Sequence, residues 1–245
     1  ARESASACRY LESRGLDPRL VPDTWRYTEK QRHIKIPAHG AIVVPGHDAS
    51  GNVQYVQLIY LKDGQKCGIP TPPLNGQAKQ SFGTQAGACI CLPAQISTSP
   101  SEIAVDDNAE AAAAPTPLII AEGPETGLSV WQASGYETWI AAGAIQKVID
   151  LVPDGRDVIL ARDHDAAESP ADRALTKARD TLATGPRSLW IATPEHPGAD
   201  WNDVCQQAGL TVVKTGVVDN AILAYTGFVP PRYDLAATVP VETAR

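Results

Sequence analysis

The feature that most constrains the fold is a regular alternation of short apolar runs and helical stretches over residues 116–228. The helix after the third run has Ser169, a preferred N-cap residue, followed by Pro170 at its first position. Strands that alternate with helices predict an α/β fold, in which helices cover both faces of a parallel sheet. There are four apolar runs, each as long as a buried strand, at 118–121, 138–141, 157–161 and 188–192.

Residues 1–96 have a different pattern, which predicts a separate α+β subdomain. A helix is predicted near the N-terminus, with Gly15 as its C-terminal cap. Apolar runs at 41–44 and 53–60 flank the turn-forming sequence Asp48-Ala-Ser-Gly-Asn52 and predict a β-hairpin. A further short strand is predicted over 88–92.

The clearest break in the chain is the stretch 97–117, which combines Ser, Pro, Asp and Glu with a run of four alanines. Such a segment buries too little apolar surface to offset the entropy of ordering it, so we predict a linker. The last residues have a similar composition. We therefore divide the chain into an N-terminal subdomain (1–96), a linker (97–117), an α/β domain (118–228) and a tail (229–245).

Composition excludes several classes of protein. The net charge is −7, from 21 basic and 28 acidic residues, so broad electrostatic coating of nucleic acid is not expected. Five cysteines are too few for a disulfide scaffold and lack zinc-ribbon spacing, which favours a reducing, cytoplasmic compartment. No apolar run is long enough to span a membrane, and no Walker A motif is present. The chain contains no Met, which suggests a fragment of a larger protein.

Acidic side chains follow the first and third apolar runs, at the point where each predicted strand ends. Glu122 comes directly after the first strand, and Asp163 and Asp165 follow the third. If the two strands are neighbours, right-handed crossovers place Glu122 beside both aspartates at the edge where ligands of α/β sheets bind. Carboxylates gathered there repel each other unless a cation lies among them, and such oxygen ligands suit Mg²⁺ or Mn²⁺.

Three motifs together resemble the Toprim domain of bacterial primases, topoisomerases and some nucleases. They are Leu118-Ile-Ile-Ala-Glu122-Gly-Pro-Glu-Thr-Gly-Leu-Ser129, Asp163-His-Asp165 and Asp200-Trp-Asn-Asp203. The form of the first and third motifs is most similar to Toprim domains of plasmid, phage and mobile-element primase-like proteins. This chain departs from many members after the second motif, where Ala166 replaces a glycine.

The resemblance implies a role for each matching residue. Glu122 resembles the acid–base glutamate of the family, which also contacts metal, and Asp163 and Asp165 resemble its metal-binding pair. Glu125 takes the place of an acidic residue that helps to hold a second metal ion. Support from the third motif is less specific, because Asp200 and Asp203 can equally form the N-cap and first turn of a helix that contains Asn202.

Basic and aromatic side chains gather in the N-terminal subdomain, before the predicted linker. Such a mixture can contact phosphates and stack on bases of single-stranded nucleic acid, or it can be ordinary solvated charge. The candidate residues for nucleic-acid binding are Trp25, Arg26, Lys30, Arg32, Lys62 and Lys66.

The sequence therefore predicts a primase-like nucleotidyltransferase that uses Mg²⁺ or Mn²⁺ to make RNA primers on single-stranded DNA from ribonucleoside triphosphates. Its context would be replication of a plasmid, phage or mobile element, and a helicase or further domains of a larger protein would be its partners. One alternative is a nuclease or topoisomerase-type module on the same acidic site. Another is a non-catalytic DNA-binding domain of a larger replication or mobilisation protein.

Overall fold

The computed structural model describes residues 1–30, 36–95 and 116–227. The predicted tail and residues 97–115 of the predicted linker lie outside this part. The described residues form a five-stranded sheet and a six-stranded sheet, with helices packed on both. Among their helices, none has the length and apolar character needed to cross a membrane.

The five-stranded sheet is antiparallel and is built from the N-terminal part of the chain. Its order is β1-β2-β3-β4, and β5 pairs with β3. The predicted hairpin joins β2 to β3, and its Asp48 side chain accepts hydrogen bonds from the backbone N–H groups of Ser50 and Asn52 (both 2.9 Å). The elements are α1 (Ala5–Ser13), a 3₁₀ helix (Pro18–Leu20), β1 (Arg26–Glu29), β2 (Gly40–His47), β3 (Val53–Lys62), β4 (Gln65–Lys66) and β5 (Lys79–Gly83).

The six-stranded sheet contains all four strands that the apolar runs predict. The strands are β6 (Ile90–Leu92), β7 (Leu118–Ala121), β8 (Thr138–Ile140), β9 (Val158–Ala161), β10 (Ser188–Ala192) and β11 (Ile222–Thr226). Their order is β11-β10-β9-β7-β8-β6. The central four are parallel, as predicted, whereas the edge strands β11 and β6 are antiparallel to their neighbours. The N-terminal part of the chain thus contributes one strand, β6, to this sheet.

Helices follow the strands of the second sheet. They are α2 (Pro124–Ser134), a 3₁₀ helix (Ile145–Leu151), α3 (Pro170–Leu182), α4 (Trp201–Ala208), α5 (Leu210–Lys214) and a π-helical turn (Thr215–Asp219). The N-cap predicted for α3 is confirmed, because the Ser169 side chain accepts from the Asp172 backbone N–H at 3.0 Å. Gly135 ends α2 in a left-handed conformation, with a φ of 72°.

Apolar side chains from β7 alternate between two separate cores. Leu118 and Ile120 pack on the side of α3 and the longer 3₁₀ helix, and Ile119 and Ala121 pack on the side of α4 and α5. Burial on both faces explains why this strand reads as a continuous apolar run. A third core joins α1, β2 and β3 to α2 and β6, so the two sheets share apolar contacts. The α/β fold with an N-terminal α+β part is confirmed, while the domain boundary at residue 96 stays a prediction.

Removal of the α3 cap should destabilise the fold without changing any acidic side chain. We expect Ser169→Ala to lower the free energy of unfolding by about 1 kcal/mol, because the N–H group of Asp172 loses its acceptor. Ser169→Asn keeps an oxygen acceptor and should stay within about 0.5 kcal/mol of the parent chain. Urea denaturation measures both variants, and equal losses would show that the cap does not act in this way.

Candidate active site

The pairing of β7 with β9 brings the predicted acidic residues to one edge of the sheet. The two strands are parallel neighbours, with Ala121 opposite Ala161. Glu122 directly follows Ala121, and Asp163 lies two residues beyond Ala161. The strand adjacency on which the sequence prediction depends is therefore confirmed.

The acidic side chains influence one another strongly. Burial raises the pKa of Glu122 to about 7, and the neighbouring Asp163 and Asp165 carboxylates add to the shift. Burial likewise raises the pKa of Asp163 to about 7, with further contributions from Asp200 and Asp165. Asp163 Oδ1 is buried and has no hydrogen-bond partner within the described residues. The edge thus concentrates negative charge, which Arg162 and Lys79 compensate only in part among the residues that the structure describes.

Backbone and side-chain contacts hold the segment that carries the two aspartates. The N–H group of Arg162 donates to the Ala192 carbonyl (3.0 Å), and its guanidinium binds Asp172 Oδ1 in α3 (3.0 Å). His164 exchanges backbone hydrogen bonds with the segment before α4, donating to Ala199 (2.9 Å) and accepting from Gly198 (2.7 Å). These contacts bring the start of α4 towards Asp163, which explains the electrostatic influence of Asp200.

The residues at this edge fit a divalent cation by their chemistry rather than by a preformed cage. Within residues 1–30, 36–95 and 116–227, no three His, Cys, Asp or Glu side chains are arranged to hold a metal ion. The unpartnered oxygen of Asp163 and the mutual repulsion with Glu122 are nevertheless what a hard cation would relieve. Glu122, Asp163 and Asp165 would hold such an ion.

Glu125 lies in a different environment from the one that the resemblance implied. It is 3% exposed at the start of α2. Its Oε1 accepts from the Tyr10 hydroxyl (2.5 Å) and the Lys66 ammonium (2.8 Å), and its Oε2 accepts from the Lys79 ammonium (3.0 Å). Burial alone would raise the pKa of Glu125, but the two ammonium groups and the hydroxyl outweigh burial and hold it well below its usual range.

This arrangement corrects the expectation that Glu125 holds a second metal ion. Both of its carboxylate oxygens are already bound to protein donors, and two positive charges compensate its one negative charge. Its partners come from α1, β4 and β5, so the carboxylate ties the N-terminal part of the chain to α2 of the second sheet. Glu125 therefore joins two parts of the fold.

The third motif forms the helix start that the sequence also allowed. Asp200 is the N-cap of α4, and it forms a reciprocal capping box with Asp203. Asn202 is fully buried, and its side-chain amide donates to the Arg14 carbonyl and the Ser129 hydroxyl (both 2.8 Å). Asn202 is thus a structural residue, whereas Asp200 and Asp203 also add negative charge near Asp163.

The candidate nucleic-acid residues that the structure describes lie in different environments. Trp25 is only 1% exposed and packs in the core that the two sheets share, so the expectation that it stacks on bases is wrong. Lys66 pairs with Glu125, and Lys30 donates to the backbone carbonyl of Ile36. Arg26 and Lys62 are exposed, and Arg32 lies outside the described residues.

A cleft of about 550 Å³ opens between β5 and the acidic edge. Glu122, Asp163 and Lys79 from β5 all line this cleft. Sequence reasoning missed Lys79, because no motif marks it and its partner Glu125 lies 46 residues further along the chain. The remaining wall is rich in uncharged polar side chains, namely Gln57, Gln77, Gln80, Ser81 and Gln85. The cleft thus combines carboxylates, a cation and several amides in its lining.

Comparison with known proteins agrees with this geometry. Residues 117–211 match the family model described as the Toprim domain. No curated protein matches the chain in sequence.

The chain is also similar in fold to solved primase structures. The Aquifex aeolicus primase, with its zinc-binding and RNA polymerase domains, has a TM-score of 0.59 and 13% identity, covering 90% of this chain and 57% of that one. The DnaG catalytic core has a TM-score of 0.56 and 18% identity, covering 89% and 74%. The DnaG primase catalytic domain bound to ssDNA has a TM-score of 0.52 and 16% identity, covering 89% and 74%. At these identities the likeness establishes the fold, and the chain spans little more than half of the Aquifex structure.

Divalent cations should stabilise the protein more at high pH than at low pH. Because the pKa values of Glu122 and Asp163 are raised to about 7, both groups hold protons in the folded chain that they release on unfolding between about pH 4 and pH 7. The metal-free protein loses stability across that window, and a bound cation offsets the loss. We expect Mn²⁺ to raise the Tm by several degrees at about pH 8 and by much less at about pH 5.

A pair of carboxylate variants tests the origin of that effect. Without metal, Asp163→Asn should raise the free energy of unfolding at about pH 8 by about 1 kcal/mol, because it removes a partly buried negative charge. It should also remove most of the Tm shift caused by Mn²⁺. Asp150→Asn, on the exposed side of the longer 3₁₀ helix, is the control and should change neither quantity. Equal Mn²⁺ shifts in the two variants would contradict the assignment.

Loss of one cation beside Glu125 should weaken the contact between the two sheets. We expect Lys79→Met to lower the free energy of unfolding by about 2 kcal/mol. This loss is smaller than is usual when a fully buried ion pair is broken, because the Lys79 side chain is 36% exposed. The double variant Lys79→Met/Glu125→Gln should recover about half of that loss, since it also removes the buried charge. If the loss in the double variant equals the sum of the losses in the two single variants, Lys79 and Glu125 are not coupled.

Proposed function

We propose that this chain, whose residues 117–211 form a Toprim domain, is a primase-type nucleotidyltransferase that makes short RNA on single-stranded DNA. The observation that carries the proposal is the cleft that Glu122, Asp163 and Lys79 line together. Carboxylates for a divalent cation and an ammonium group for phosphate are the components that phosphoryl transfer requires. The form of the first and third motifs supports a place in plasmid, phage or mobile-element replication.

The cleft suggests where a ribonucleoside triphosphate would bind. Lys79 Nζ lies 3.6 Å from the position that a side chain on Gly123 would take, so the ammonium reaches the start of α2 beside Glu122. A triphosphate between Lys79 and the acidic edge would contact a positive group on one side and the ion-binding carboxylates on the other. The amide oxygen of Gln57, which is buried and has no hydrogen-bond partner within the described residues, would accept a hydrogen bond from the sugar or base.

In the proposed reaction, the 3′-hydroxyl of the growing RNA attacks the α-phosphorus of the incoming nucleotide, and pyrophosphate leaves. Asp163 and Asp165 would hold Mg²⁺ or Mn²⁺, which supplies charge neutralisation of the phosphates and activation of the hydroxyl. Glu122 would accept the proton that the hydroxyl loses, since its pKa of about 7 lets it gain and lose protons at neutral pH. Lys79 would stabilise the charge that develops on the departing pyrophosphate.

We propose partners for the chain from its fold and from its similarity to solved structures. Single-stranded DNA is the proposed template, as the exposed cations Arg26 and Lys62 favour contact with phosphates. Since the chain spans 57% of the Aquifex primase structure, we include further domains or a helicase among its proposed partners. We also keep the division into a subdomain (1–96), a linker and a Toprim domain (118–228) as part of this proposal.

Primer synthesis provides the direct test. Labelled ribonucleotides are supplied with single-stranded DNA and Mg²⁺, and extension products are resolved by length. We expect the wild type to synthesise RNA and Glu122→Gln to lose at least about a hundredfold in rate, as is typical when a general base is removed. Asp150→Asn, at an exposed position that does not line the cleft, should retain the wild-type rate.

The same reactions separate the alternative functions. End-labelled DNA that is cut in a Mg²⁺-dependent way, without RNA synthesis, would replace the proposal with a nuclease. DNA binding without any metal-dependent chemistry would identify a non-catalytic domain. RNA synthesis that persists unchanged in Glu122→Gln would show that the reaction occurs elsewhere.

A further inference from the structure

Two cysteines that the proposed reaction does not use lie close together at the edge of the six-stranded sheet. Cys91 belongs to β6, and Cys89 directly precedes that strand. Their Sγ atoms are 3.0 Å apart. Cys89 is 2% exposed, whereas Cys91 is exposed at the surface.

The other cysteines of the chain have different partners. The thiols of Cys8, Cys67 and Cys205 donate to the backbone carbonyls of nearby residues rather than to another sulfur. The Cys89–Cys91 pair is therefore a specific arrangement of two thiols. It depends on the strand, because residues two apart in an extended chain point to the same side.

The backbone permits a bond between the two sulfur atoms. In a strand, the Cα atoms of residues i and i+2 are about 6.4–6.8 Å apart. This distance is at the upper end of the Cα–Cα range found in disulfides. β6 has three residues and lies at the edge of the six-stranded sheet, where it pairs with β8. Cys89 precedes the strand and exchanges two backbone hydrogen bonds with His47 of β2 (2.8 and 2.9 Å). A small local bend of this short edge segment would bring the sulfur atoms to bonding distance.

The two thiols differ in a way that suits stepwise exchange. Cys91 is the accessible partner, and the hydrogen bond between the two thiols lowers the pKa of Cys91. The surface thiol is thus the one that reaches a reagent in solution as a thiolate, and the buried thiol lies next to it.

We propose that Cys89 and Cys91 form a redox-active dithiol that a low-molecular-weight disulfide, such as oxidised glutathione, converts to an intramolecular disulfide. The Cys91 thiolate attacks one sulfur of the small disulfide, whose S–S bond breaks and releases one thiolate. Cys89 then loses its proton to solvent and attacks Cys91 Sγ in the mixed disulfide, which releases the second thiolate. The protein gives up two electrons and two protons, and the small disulfide is reduced to two thiols.

The Cys89–Cys91 disulfide should be easily reduced back to two thiols. A disulfide at the upper limit of Cα separation stores strain, and strained, exposed disulfides are reduced more easily than structural ones. Excess dithiothreitol should return both thiols. The site is independent of primer synthesis, so the inference does not rest on the proposed function.

Mass spectrometry of the full chain tests the proposal. Reduced protein is treated with oxidised glutathione, remaining thiols are blocked with iodoacetamide, and peptides are mapped. In the wild type we expect the peptide with Cys89 and Cys91 to lose both alkylation sites and to carry no glutathione. In Cys89→Ser, and equally in Cys89→Ala, Cys91 should instead hold a stable glutathione adduct, because the second attack is blocked.

A matched control removes the other thiols. The triple variant Cys8→Ser/Cys67→Ser/Cys205→Ser should form the same internal disulfide as the wild type, since the pair needs no further cysteine. The proposal is overturned if Cys89 and Cys91 both remain open to alkylation while Cys67 is modified. It is equally overturned if a glutathione adduct persists on Cys91 in the wild type, which would show that Cys89 does not complete the exchange.

Discussion

The hydrogen-bonded pairing of β7 with β9 is the constraint on which the rest of the site depends. The register that sets Ala121 opposite Ala161 places Glu122 and Asp163 at one edge, and burial then raises the pKa of both carboxyls. Positive charge at this edge of the sheet would therefore stabilise the two carboxylates. A divalent cation bound with a nucleotide in the adjoining cleft would provide that charge.

A second electrostatic arrangement holds Lys79 in the lining of the cleft. Glu125 is buried at the start of α2, and its charge is compensated by Lys66 and Lys79 from the N-terminal sheet. Since unpaired buried charge is costly, this carboxylate favours the conformation in which β5 lies against the second sheet. The same contact holds Lys79 in the cleft. One acidic residue thereby links the packing of two sheets to the proposed binding of phosphate.

The sequence predicted those features that depend on local pattern. Apolar runs revealed the four parallel strands, of which β7 and β9 are buried along their whole length, and the crossover rule then predicted that Glu122 and Asp163 meet. Features that depend on distant partners were missed or misjudged. Glu125 lies 115 residues from Tyr10, and nothing in the local motif reveals that its oxygens are occupied. Trp25 was expected at a surface because of its basic neighbours, but packing from both sheets buries it. The antiparallel addition of β6 to the second sheet likewise has no local signal.

The capping box of α4 shows a case in which two interpretations of one motif are both partly correct. Asp200 and Asp203 close the helix start by hydrogen bonds, and their charges also act on Asp163. A structural role and an electrostatic role are compatible, because the cap directs its charge towards the same edge of the sheet. Asn202, between them, faces the interior instead.

The central claim is that the acidic edge binds a divalent cation, and anomalous diffraction from crystals soaked in Mn²⁺ tests it most directly. The account predicts one strong manganese peak within coordinating distance of Asp163 and at least one of Glu122 and Asp165. A peak at some other place on the molecule, or none at saturating Mn²⁺, would contradict it.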